Sequence, residues 1–147
     1  MKPDLSRALQ GVGITLISKV IPEVTTSFGQ QEVGLAAQLS FWAAEEAERG
    51  ADRLVTETRE TRQLLADGLP IAGEARADVE AALATPAAAN LRLTTLQMEN
   101  DGVRRGLIAL QAAVEGNLGA EAIALTERIW AELVESTKRR QFAVRLG

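Results

Sequence analysis

The 147 residues contain no histidine, no cysteine and no tyrosine, and the only aromatic side chains are two tryptophans and three phenylalanines. Each absence removes a class of chemistry. Without cysteine there is neither a disulfide framework nor a thiolate metal site, which suits a reducing cytoplasm. Without histidine there is no imidazole general base for a Ser or Thr nucleophile. The Glu-x-x-His pairs that hold di-metal sites in ferritin-like bundles are excluded for the same reason. No stretch reaches the roughly 18 uncharged apolar residues of a membrane-spanning helix. Residues 8 to 21 come nearest to a secretory leader, but Asp4 precedes them, Lys19 interrupts them and no small-x-small pattern follows. The expectation is a soluble, cytoplasmic protein whose first apolar segment is a buried helix.

Positive charge is also scarce. Sixteen basic against twenty acidic residues leave a net charge of -4, which repels a nucleic-acid backbone unless the cations gather on one face. Only Lys138, Arg139, Arg140 and Arg145 gather, and that run reads as cations complementing a helix C-terminus. No nucleic-acid partner is expected.

What the chain does have is aliphatic residues in a rhythm of threes and fours. At this length one domain, residues 1 to 147, can bury a real core. Asp4 caps a first helix with Leu5, Leu9, Val12, Leu16 and Val20 on its buried face, closed by Pro22. Its glycines and β-branched residues make a strand the competing reading. Ser27 and Gln30 form a capping box for helix two, whose seam is Val33, Ala37, Ser40, Ala44, Ala47, Ala51, Leu54, Thr58, Thr61 and Leu65. A second stripe, Leu35, Leu39 and Trp42, buries its first half on two sides and is the candidate subunit interface. Glu45 and Arg49 have salt-bridge spacing on the outer face. A short helix from about Glu74 to Ala84 crosses over through Val79 and Leu83. Helix four starts at Thr85 and Pro86 and carries Ala89, Leu93, Leu96, Asn100, Val103, Leu107, Leu110 and Val114 to a stop at Gly116. The last helix, from about Ala120 to Val144, has Ile123, Trp130, Leu133 and Thr137 on one stripe beside Leu125 and Ile129, with Trp130 in the core. The fold class expected is all-α, an antiparallel four-helix bundle with an additional short crossing helix. A helix two of about 55 Å beside a helix one of about 25 to 30 Å must bend or have its overhang covered by a second subunit.

Few residues suggest chemistry. Glu45, Glu48, Glu99 and Glu127 are the only carboxylates worth weighing for an oxygen-ligated metal, and the first three lie off the seams, so no metal or other cofactor is expected. No acidic residue occupies a seam position, no catalytic residue stands out, and neither a P-loop nor a dinucleotide fingerprint is present. Asn100 is a polar residue at a core position, either a register-fixing amide or the lining of a cavity. Gly102 and Gly106 beside it cost about 1 kcal/mol each in a helix interior unless something packs close against them. These three form the candidate ligand or helix-contact site.

The segments "KVIPEV", "GLAAQLSFWAAEEAERG" and "LQMENDGVRRGLIALQ" together resemble a family of small bacterial helical-bundle proteins encoded near acyl-CoA dehydrogenases and aminoglycoside-phosphotransferase-like proteins. The resemblance implies an accessory role beside acyl-CoA or phosphotransferase chemistry and carries over no catalytic residue. Three functions follow in order: a non-catalytic interaction or accessory protein acting as a homodimer or with a protein partner, a bundle holding an apolar or acyl-type ligand near Asn100, and a carboxylate-dependent enzyme.

Overall fold

A computed structural model describes residues 4–143. These residues are all-helical, with five α-helices and no strand. α1 (Leu5–Thr15) opens on Asp4, whose carboxylate accepts the Arg7 backbone N–H at 3.3 Å, the cap expected from sequence. It runs on through one wider π-helical turn (Leu16–Val20) into a 3-10 turn (Ile21–Glu23). Pro22 explains the change of pitch, because it donates no N–H and its ring crowds the carbonyl four residues back.

α2 (Ser27–Gly68) is continuous over 42 residues. Its cap is Thr26 rather than Ser27: the Thr26 hydroxyl oxygen accepts the Gly29 N–H at 3.2 Å, and the Gln30 side chain donates to the Val24 carbonyl at 2.9 Å. The expected capping box is therefore displaced by one residue, and the third helical position is a glycine with no side chain to complete it. Two 3-10 turns, Leu69–Ile71 and Gly73–Ala75, lead to α3 (Arg76–Leu83). α4 (Leu93–Val114) ends before Gly116, whose φ of +82° reverses the chain, and α5 (Ala120–Arg139) follows.

Two boundaries differ from expectation. Residues 84–92 are irregular, so Ala89 is not in α4 and Leu93 begins it. Side chains hold that loop: Arg62 donates to the Leu83 and Thr85 carbonyls at 2.8 and 2.7 Å, and Glu99 accepts the Ala88 N–H at 2.8 Å. α5 ends at Arg139, and Gln141 to Ala143 leave the helix; Val144 and Arg145 lie outside the described residues.

The chain divides into two compact units, one of Met1–Gly50 with Gln141–Gly147 and one of Ala51–Arg140, and α2 contributes to both. The second unit holds a continuous apolar core. Leu64 and Leu65 of α2, Val79 and Ala82 of α3, Val103, Leu107, Leu110 and Val114 of α4, and Ala122, Leu125 and Ile129 of α5 all meet in it. The glycines of α4 allow this packing. An added Cβ at Gly102 would lie 2.6 Å from the Thr85 side chain, and one at Gly106 would overlap Ala82 of α3. Asp101 and Gly102 therefore do not split α4.

In α5 the buried positions are Ala122, Leu125, Ile129 and Ser136. Ile123 and Trp130, expected inside, are about half exposed, Trp130 at 52%. The buried stripe is rotated from the one that the largest side chains suggest, because small Ala122 and Ser136 fit the space facing α2 and α4 and an indole does not.

In the first unit the only buried described residues are Gly13, Ala37, Ala44 and Gly50. Gly13 packs against the Phe41 ring, whose nearest atom would lie 2.8 Å from an added Cβ. Leu5 and Val12, expected on the inner face of α1, point outward, as does Ala47 of the α2 seam. Once Gly13 faces α2, residues one position before it cannot.

Candidate functional site

Three groups of side chains in this fold could carry a function. The first contains the residues singled out from sequence. Asn100 is fully buried and its amide donates to the Thr58 hydroxyl of α2 at 3.1 Å. Its carbonyl oxygen has no hydrogen-bond partner among the described residues. Gly102 and Gly106 lie on another side of α4, closed over by Thr85 and Ala82. A shallow groove of about 470 Å³ includes both glycines and Arg105 but not Asn100. The structure thus brings the glycines together as a helix contact and sets Asn100 apart.

The second group was not legible in the sequence. Glu57 of α2, 1% exposed, is an acidic residue at a buried position, which corrects the expectation that there is none. It continues a second buried register, Gly50, Leu54, Glu57, Thr61, Leu64 and Gly68, that alternates steps of four and three exactly as the first does. Arg140 donates through Nε to Oε1 at 3.1 Å and through Nη2 to Oε2, the Ser136 hydroxyl donates at 3.0 Å, and Arg104 reaches Oε2 at 3.5 Å. Burial pushes the Glu57 carboxyl up, but the Arg140 and Ser136 hydrogen bonds and the Arg140 and Arg104 charges outweigh it and leave the pKa lowered. A carboxylate so held stays ionised at neutral pH and has little capacity to donate a proton. Glu132 of α5 is shifted the other way: burial raises it, the Arg139 ion pair opposes, and the Glu60 and Glu57 charges add to the rise. It lines an open cleft of about 260 Å³ with Glu60, Arg128 and Glu135.

This network also accounts for the basic run. Lys138 pairs with Glu135, Arg139 with Glu132 and Arg140 with Glu57. Among the described residues no group of three or more acidic side chains is placed to hold a metal ion, and no helix is long and apolar enough to cross a membrane.

The third group is in the first unit. Leu35 and Leu39 are 56% and 52% exposed, so the first half of α2 is covered on one side rather than two. Phe28 precedes them at heptad spacing and is also exposed, as are Leu5, Val12 and Ile14 of α1. Trp42, next on the stripe, is partly covered: the Phe142 ring stacks on it with centroids 5.3 Å apart and planes 18° apart. Two hydrogen bonds fix the same segment. Arg49 donates to the Gln141 carbonyl at 2.9 Å, and the Glu45 carboxylate accepts the Ala143 N–H at 3.0 and 3.1 Å. Comparison with protein-family models, with curated proteins and with solved structures finds no match to this chain.

Proposed function

We propose that this is a non-catalytic interaction protein that works as a homodimer, with a second copy covering the outward faces of α1 and the first half of α2. The observation that carries this reading is that among the described residues of the first unit no side chain larger than alanine is buried, while Leu5, Val12, Ile14, Phe28, Leu35 and Leu39 are exposed. Together these side chains leave an outward apolar surface on α1 and α2, and such a surface is stabilised in water when it is covered.

Charge favours a second copy as the cover. Residues 5–20 carry Arg7 and Lys19 and no acid, whereas residues 27–48 carry Glu32, Glu45, Glu46 and Glu48 and no base. A two-fold axis that lays α1 of one copy along α2 of the other brings opposite charges together twice. In this reading α1 and the first half of α2 from each copy pack together between subunits, separately from the four-helix bundle expected within one chain. The resemblance noted in the sequence implies an accessory role for such a dimer beside acyl-CoA or phosphotransferase chemistry.

Size-exclusion chromatography with light scattering tests the reading. The wild-type chain is expected at twice 15.7 kDa, and the double variant Leu35→Glu, Leu39→Glu at 15.7 kDa with its helical circular dichroism kept. A wild-type monomer at micromolar concentration contradicts it.

One observation supports a second reading, a ligand-holding bundle. The buried Asn100 carbonyl oxygen wants a donor, because unsatisfied buried acceptors are costly. A thermal-shift screen of acyl-CoAs and fatty acids, run on wild type and on Asn100→Leu, tests it. A ligand that raises the melting temperature of the wild type alone supports it.

A further inference from the structure

The contacts made by Gln141, Phe142 and Ala143 have a form unlike helix packing. Trp42, Glu45 and Arg49 project from neighbouring positions of α2, spaced three and four apart. Each takes one consecutive residue of the segment: Arg49 the Gln141 carbonyl, Trp42 the Phe142 ring and Glu45 the Ala143 N–H. Glu45 and Arg49 are themselves paired at 3.1 Å, which holds the acceptor and the donor at a set separation. Two of the three contacts read main chain and one reads an aromatic ring. Peptide-binding surfaces divide their work in the same way, with main-chain hydrogen bonds giving affinity and a side-chain contact giving selectivity.

We propose that Trp42, Glu45 and Arg49 form an exchangeable docking site for the C-terminal segment, so that a copy whose own segment is displaced accepts the segment of a second copy. The partner is fixed by what already sits there: a non-helical stretch with one aromatic residue flanked by a free carbonyl and a free N–H. The donor and acceptor set is the same whether the segment arrives from the same chain or another, so only effective concentration separates the two cases. A tethered segment competes at about millimolar effective concentration, and the site is therefore filled by its own chain until that segment is removed. The proposal does not depend on the dimer face described above, because the isolated segment suffices to test it.

The test is fluorescence anisotropy with a dye-labelled peptide of the sequence of residues 141–147, QFAVRLG. Two proteins open the site, a chain ending at Arg140, which lacks the segment and keeps the partner of Glu57, and full-length Phe142→Ala, whose segment keeps its two main-chain contacts but loses the ring. The peptide is expected to bind both, and to bind wild type at least about tenfold more weakly because the tethered segment occupies the site. Replacing phenylalanine by alanine in the peptide, or Glu45→Ala in the truncated chain, is expected to abolish binding. Absence of binding to both opened proteins overturns the proposal. So does equal binding to wild type, or equal binding of the alanine peptide.

Discussion

The two units of the chain use the same kinds of residue in opposite ways. In Ala51–Arg140 the leucines and valines of four helices face one another, and charged groups that enter the interior are matched with partners. In the unit formed by the first fifty residues and residues 141–147, the buried described residues are glycine and alanine, and Leu5, Val12, Ile14, Ile17, Leu35 and Leu39 face out while other large aliphatic residues are half-buried. The difference teaches that apolar periodicity marks a face that must be covered, without specifying which chain covers it. The second unit builds a continuous core from its own large side chains, and the first does not; the proposed dimer is what would cover the outward face of the first.

The largest effect expected is a contrast between matched truncations. Leu110→Ala, at a fully buried position, should cost about 2–5 kcal/mol in denaturant unfolding. Leu39→Ala should leave the fold of a single chain within about 0.5 kcal/mol and weaken association instead. Equal losses in folding would remove the distinction between the units.

The Glu57 network sharpens the same contrast. Arg140→Ala leaves a buried carboxylate with Ser136 and Arg104 alone, and should cost about 3 kcal/mol. Glu57→Leu should cost less, because Arg104 and Arg140 are partly exposed and can turn to water. The pH dependence follows from the sign of the shift. Glu57 has a folded pKa below its usual 4.5, so the folded state binds its proton less readily than the unfolded chain. Its contribution is present above about pH 4.5 and is lost as pH falls toward the folded value. Stability of the wild type measured by urea titration from pH 7 to 3 should therefore fall more steeply than that of Glu57→Gln. Parallel curves would show that Glu57 is not held ionised.

A smaller effect separates two glycines. Gly106→Ala inserts a methyl where Ala82 already sits and should cost about 1–3 kcal/mol. Gly11→Ala in α1 meets open space and should stabilise by about 0.5–1 kcal/mol through helix propensity. Thermal melts of the two variants should move in opposite directions.

The helical class, the seam of α4 from Leu96 to Val114 and the second half of the α2 seam could be read directly, because burial along a long helix repeats and leaves its period in the residues. Asp4 was readable as a cap because capping is local. Glu57 was not, since its partners are 79 and 83 residues away and a single carboxylate in a helix normally faces water. The neighbouring register through Leu54, Thr61 and Leu64 was the one available signal. Trp130 misled through its size, and the start of α4 was misplaced because Thr85 and Pro86 look like a helix start while Arg62 and Glu99 hold the loop from a distance. The trio of Asn100, Gly102 and Gly106 was recognised as unusual, but adjacency in sequence did not reveal that they face different neighbours.

In the proposed dimer the first unit is completed by another copy of the chain. Hydrogen–deuterium exchange followed across serial dilution reads this directly. Amide protection in α1 and the first half of α2 is expected to fall on dilution, while that of α4 stays unchanged. Protection in both regions that is independent of concentration would contradict it.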